Sequence, residues 1–376
     1  MNLEPEAIKI LELIFNKASE ERDDLSDSNE SYRFLTIPGQ GNLRWIVPDD
    51  PCLGIPVLSQ WRPYKFWSYI KWKLILFLYS NRLLKKIQGI GTLEFTPDKA
   101  PTLNGNYRQR LAPVIYVGTP GPHQKAVATF IDPVNGIPVN VVKVALKKSA
   151  RKNLTREADM LKKMDDLNVT GIPKIISMED DGAKTVQTVI NGRLTSRKLT
   201  KAHIDWLLKL PRSEKTTTFD EQRKIIQALL AKEEPGLNKM ERDSIAKVAE
   251  TLQGNKPIPY LIIHGDFAPW NLKWPANDVI TAIDWEDSNL NGLPLWDLSH
   301  FFCIQSHLFG GPNPFRKIRE CPLVSRYIKK IGLDQENNIR QLYILYLIKK
   351  FINAGLFSTN SYGSFLIQQI HRISQQ

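Results

Sequence analysis

The segment HGDFAPWN, residues 264–271, places a carboxylate at Asp266 and a carboxamide at Asn271 across a loop containing Pro269. The apolar run Tyr260–Ile263 precedes it and reads as a buried strand. A second apolar run, Val279–Ile283, also reads as a strand and ends in Asp284. One loop and the end of the next strand are thus expected to bring two carboxylates and a carboxamide to one spot. Hard oxygen donors of this kind suit Mg²⁺, which takes one or two protein carboxylates and shares phosphate oxygens. Asp and Asn are also common turn formers. Turn chemistry alone, however, does not call for this combination behind two apolar strands.

A cation is expected in the preceding part of the chain. In VNVVKVAL, strand alternation puts Val139, Val141, Lys143 and Ala145 on one face. A lysine there is costly unless an anion meets it. Glu157 can do so: Leu154, Ala158 and Leu161 form the apolar stripe of the next helix, and Glu157 stands three and four residues from two of them. The alternative is a lysine snorkelling from an edge strand and a glutamate in water.

These residues resemble the aminoglycoside phosphotransferase and choline kinase group of the protein-kinase-like superfamily. The motifs of that group are H-G-D-x-x-x-x-N, a strand ending in I-D-W-E, and G-x-P-x-x-D. The chain reads HGDFAPWN, IDWE and GLPLWD, the last ending at Asp297. The resemblance spans roughly residues 108 to 355 and leaves the first hundred outside it. It implies that Asp266 accepts the proton of a substrate hydroxyl, and that Asn271 and Asp284 hold Mg²⁺ on the phosphates of ATP (or GTP). It further implies that Lys143 and Glu157 form the pair that orients those phosphates. His264 would hold the loop by hydrogen bonding, and Asp297 would brace it from a helix start. Gly118 and Gly121, in YVGTPGPHQKAV, would cover the phosphates, although they lack the protein-kinase G-x-G-x-x-G. Val141 and Gln187 complete the expected nucleotide-binding set, with a hinge over Gln187–Gly192 meeting the adenine edge. Glu286 and Asp287 receive no role.

The elements around these residues give an α+β, bilobal protein-kinase-like expectation: a small antiparallel β lobe, then a larger helical lobe. Residues 106–191 carry β-rich runs broken by turn signals such as VNG, with a helix near 152–164. Residues 192–376 read as helices near 201–210, 219–233, 238–252, 296–309 and 334–356. Residues 1–105 read as an extension: a helix over 3–18, an acidic linker over 19–31, and an irregular Pro/Gly-rich stretch over 32–60. From Arg62 to Lys86 the chain holds seven basic residues and no acid, with Trp67 and Trp72 among them. Lys71 and Lys73 interrupt its apolar run, so a span is rejected. Two readings remain: a helix lying on an anionic membrane surface, or one packed on the body with snorkelling lysines.

Of the 376 residues, 42% are hydrophobic and 24% charged, which is ordinary globular composition. Three scattered cysteines form neither a disulfide framework nor a zinc pattern and suit a reducing cytoplasm, with the inner membrane face as a further expectation. The start lacks the basic region and cleavage site of a signal peptide. The net charge of +12 favours anionic partners, or simply a basic surface. Nucleic acid is not expected, because helix-turn-helix, zinc and RNP patterns are missing. From Gly292 onward there are four acids and ten Lys plus Arg, which argues against a polycationic acceptor. The expected activity is transfer of the γ-phosphoryl group to a small-molecule hydroxyl: a sugar, a glycan precursor or a lipid-linked alcohol. The competing expectation is an idle kinase-like module that binds nucleotide without transfer.

Overall fold

The computed structural model describes residues 3–15, 31–39, 41–97, 111–232, 237–275, 279–353 and 361–375. Most of the acidic linker expected over 19–31, the end of the first helix and the boundary near residue 105 lie outside the described residues. The chain divides into two compact units, Met1–Thr195 with Lys273–Glu286, and Ser196–Leu272 with Asp287–Gln376.

In chain order, the first unit begins with α1 (Glu4–Phe15), β1 (Tyr32–Gly39), β2 (Asn42–Pro48), α2 (Pro51–Leu58) and α3 (Phe66–Ser80). Then come β3 (Gly91–Phe95), β4 (Ala112–Val117), β5 (Lys125–Ile131), β6 (Pro138–Ala145), α4 (Lys148–Asp166), β7 (Ile175–Met178), β8 (Lys184–Thr188) and β9 (Arg193–Leu194). One antiparallel sheet of eight strands runs β3-β1-β2-β4-β5-β6-β8-β7. The expected meander β4-β5-β6 is its centre. Its apolar alternation buries Ile115, Ala128 and Val142 in a core closed by Ile10, Leu11 and Ile14 of α1. These α1 residues recur at helical spacing, so burying one stripe orients the whole helix.

The extension expected over residues 1–105 is not separate, because β1–β3 extend the same sheet. Nor is the stretch 32–60 irregular. Pro38 sits at a register shift in β1, where a missing N–H costs little. Pro51 opens α2 behind Asp50, whose side chain accepts from the Cys52 amide. The β-rich unit therefore holds more of the chain than the small lobe expected. A second apolar core packs Trp45, Val47 and Val114 of the sheet against Leu58, Trp72 and Tyr79 of α2 and α3.

The second unit continues with α5 (Lys201–Leu207), β10 (Arg212–Thr217), α6 (Phe219–Ala231), α7 (Lys239–Ala249) and β11 (Ile258–Ile263). The chain then passes through β12 (Leu272–Trp274) and β13 (Thr281–Ala282), which join β9 in a small sheet. It closes the second unit with β14 (Asn289–Gly292), α8 (Trp296–Phe309), α9 (Pro314–Glu320), α10 (Pro322–Lys330), α11 (Gln335–Asn353) and α12 (Ser361–Ser374). The strand expected over 279–283 is only two residues long: β13 pairs with β12 alone, and the backbone turns left-handed at Asp284 (φ 69°). Among the described residues, no helix is long and apolar enough to cross a membrane.

Candidate active site

In the β-rich unit, register does the positioning. β6 pairs Lys143 with Val127 on one side and Thr185 on the other, and α4 follows within the same unit. Lys143 Nζ donates to Glu157 Oε1 at 2.6 Å and Oε2 at 2.8 Å. Glu157 is fully buried, on the same stripe as Leu154, Ala158 and Leu161. Desolvating two charges is costly, and near-ideal contact is what offsets it. Glu157 Oε1 also accepts the Trp285 amide at 3.2 Å, which draws the IDWE segment toward α4.

That segment delivers Asp284. Its Oδ1 accepts from Lys143 at 3.1 Å and from Lys125 at 2.6 Å. Lys125 also donates to Glu286 Oε2 at 2.9 Å, so Glu286 is part of the cluster rather than an idle surface acid. Burial opposes ionisation of Asp284, but the two ammonium groups outweigh it and hold the carboxyl well below the usual carboxylate range. Burial likewise works against the charge on Lys125, and the surrounding carboxylates override it and push its pKa up. Glu286 is raised, first by burial and then by the negative charge of Asp284.

Lys125 was not foreseen. It opens β5, and Gly118 sits across the β4–β5 turn from it, donating its amide to the Lys125 carbonyl at 2.9 Å. A Cβ at Gly118 would stand 2.8 Å from that carbonyl oxygen, so the turn needs glycine there. Gly121 meets no such crowding. Val141 and Gln187 are cross-strand partners on the Lys143 face. Gln187 lies inside β8 and is buried, with register continuing one residue further to the Asn140–Thr188 pair. Beyond β8, Gln60 holds the chain: its Oε1 accepts the Gly192 amide, and its carbonyl accepts the Leu194 amide. Lys273 Nζ donates to the Ile190 carbonyl at 2.7 Å, and burial lowers its pKa to about 8.

In the helical unit, β11 ends at Ile263 and the loop turns at Gly265 (φ 84°). A Cβ there would lie 2.0 Å from the Asp287 carbonyl oxygen, so only glycine fits. Asp297, in the first turn of α8, accepts the His264 amide through Oδ2 and the Gly265 amide through Oδ1, both at 2.9 Å. This is the brace expected of it, and burial raises its pKa. Asp266 is held from both sides. Asn271 Nδ2 donates to Oδ2 at 2.7 Å, and His300 Nε2 lies 2.7 Å from Oδ1. His300 Nδ1 lies 3.1 Å from the Tyr346 hydroxyl, which lies 2.8 Å from that of Tyr362. Burial works against the Asp266 charge, but His300 and Lys350 overcome it and bring the pKa down to about 2. His300 was also missed; only a histidine on α8 facing a carboxylate 34 residues earlier could have signalled it.

Each unit separately offers oxygen of the kind a hard cation takes: in one, Asp284 is kept ionised, and in the other, Asn271 spends its amide nitrogen on Asp266, which leaves its side-chain carbonyl oxygen.

Comparison with known proteins gives the following. The model of the phosphotransferase enzyme family matches residues 112–317, from the first residue of β4 into α9. Among solved structures, the chain is similar to a choline kinase, LicA, from Streptococcus pneumoniae at 16% identity, covering 69% of this chain and 93% of that one, with a TM-score of 0.46. It is similar to a putative aminoglycoside phosphotransferase from Ralstonia eutropha at 14% identity, covering 72% and 94%, with a TM-score of 0.47. It is also similar to an aminoglycoside phosphotransferase solved with ADP and hygromycin B, at 11% identity, covering 69% and 93%, with a TM-score of 0.45. No curated protein matches the chain.

Proposed function

Because the chain belongs to the phosphotransferase enzyme family, and so transfers phosphoryl groups to an alcohol acceptor, we infer that it moves the γ-phosphoryl group of ATP (or GTP) to a small molecule. The acceptor we infer is a sugar, a glycan precursor or a lipid-linked alcohol. The observation that carries this reading is the buried Lys143–Glu157 pair joined to Asp284. A working phosphate site needs these three groups in contact, whereas an idle module has no use for the desolvation they cost.

In the proposed reaction the acceptor O–H donates to Asp266. The hydroxyl oxygen attacks the γ-phosphorus, the bond to the leaving diphosphate breaks, and Asp266 takes the proton. A pKa of about 2 makes Asp266 a weak base. Its work is therefore mainly to orient the hydroxyl, with proton transfer late, as a loose transition state permits. His300 and Asn271 fix the carboxylate for that task. Lys143 and Lys125 meet phosphate charge, and Glu157 keeps Lys143 in place. Asn271 and Asp284 are the residues that would hold Mg²⁺, whose charge offsets that of the phosphates when bound. The excess of Lys and Arg after Gly292 supports a neutral or anionic acceptor over a polycation. The test is nucleotide consumption across a panel of hydroxyl compounds. A sugar or lipid-linked alcohol should be turned over, whereas turnover of aminoglycosides alone would overturn the acceptor class.

A further inference from the structure

The helix α3 presents two unlike faces. At about 100° per residue, Trp72 and Tyr79 fall on one side. Trp72 packs its ring 5.5 Å from Trp45 and 4.7 Å from Trp61, and the Tyr79 hydroxyl donates to the Pro48 carbonyl at 2.6 Å. The opposite side carries Phe66, Ile70, Leu74 and Phe77 with Trp67 beside them, and all are exposed: Trp67 at 79%, Phe66 at 69% and Phe77 at 61%. Leu83 and Ile87, just beyond the helix, are exposed too. Isolated surface apolar residues need no account, but a stripe of five on a 15-residue helix does.

The charges around the stripe say what it meets. The helical spacing puts Lys73 on one margin and Lys71 on the other, both exposed. Arg62 and Lys65 precede the helix, and Arg82, Lys85 and Lys86 follow it. No Asp or Glu occurs between Asp50 and Glu94. Protein interfaces are depleted in lysine, whereas a bilayer surface favours aromatic and aliphatic side chains rimmed by cations. At about 1.5 Å per residue the helix is too short to span a hydrocarbon core. We propose that α3 is an interfacial anchor that lays Phe66, Trp67, Ile70, Leu74 and Phe77 into an anionic lipid bilayer, with Lys71 and Lys73 reaching the headgroups. Trp72 is buried in the second apolar core and the partly buried Trp61 packs against it, so the membrane face is this narrower stripe and not the whole Trp-rich segment. The anchor is independent of the transfer chemistry.

Vesicle co-sedimentation of the full chain tests it. The chain should bind vesicles of phosphatidylcholine with phosphatidylglycerol at least about tenfold more tightly than pure phosphatidylcholine, and added salt should weaken the binding. Trp67→Ser with Phe77→Ser should weaken binding by more than about tenfold. Lys71→Ala and Lys73→Ala should each weaken it about fivefold. All four positions are exposed, so thermal unfolding midpoints should be unchanged; a lysine variant serves wherever an aromatic one shifts the midpoint. Three results would overturn the proposal: no binding to anionic vesicles; equal binding by all variants; or substitutions that abolish only self-association, which would make a second copy the occupant.

Discussion

At the residue scale the cost of each buried charge decides its role. Glu157 is fully buried and meets a lysine and a backbone amide. Lys143→Met would strand that carboxylate, so we expect a loss of about 3–5 kcal/mol in denaturant unfolding. Asp266 is poised differently. Its folded pKa of about 2 lies below its ordinary value of 3.8. It therefore contributes stability that is fully present above about pH 4 and is lost as pH falls through about 2. His300→Ala removes the donor on Oδ1 and raises the Asp266 pKa. Acid unfolding should then begin at higher pH, and kcat should fall roughly tenfold to a hundredfold through loss of orientation, with nucleotide affinity kept. Unchanged kcat would show that Asn271 alone positions the carboxylate.

At the element scale the turns are under tighter constraint than the helices. Gly265 has φ 84° and a carbonyl where a Cβ would go, so Gly265→Ala should cost about 2 kcal/mol or more in thermal unfolding. Gln60, just after α2, satisfies the Gly192 amide through its side chain and donates to the Pro56 carbonyl at 2.9 Å. Gln60→Ala should cost about 1–3 kcal/mol and speed hydrogen exchange at Gly192. Much of this scale was legible in the sequence. The α4 stripe and the β4–β6 meander follow from local periodicity, and Asp297 as a brace at the start of α8 follows from the resemblance carried by GLPLWD. What was not legible rests on distant pairing. β1 and β2 hide behind Pro38 and Pro51, and β10 reads as the polar run RSEKTT. Lys125 meets Asp284 across 159 positions, and nothing local to KAVATFI marks it as a partner.

At the scale of the whole molecule, the match to the phosphotransferase enzyme family over residues 112–317 takes in Lys143, Glu157, Asp266, Asn271 and Asp284. The first hundred residues, outside that match, supply three strands of the main sheet and an exposed helix rimmed with lysine. The chain thus carries more than the transfer machinery. Whether that machinery works is the central claim, and its most direct measurement compares native chain with Asp266→Ala in a phosphoryl-transfer assay using γ-labelled ATP, GTP and a panel of hydroxyl acceptors. The account predicts label moving to an acceptor with the native chain. With Asp266→Ala it predicts a loss of about a thousandfold or more in rate and nucleotide binding within a few-fold of native. Nucleotide binding by the native chain without transfer to any acceptor, or transfer that survives Asp266→Ala, would contradict it.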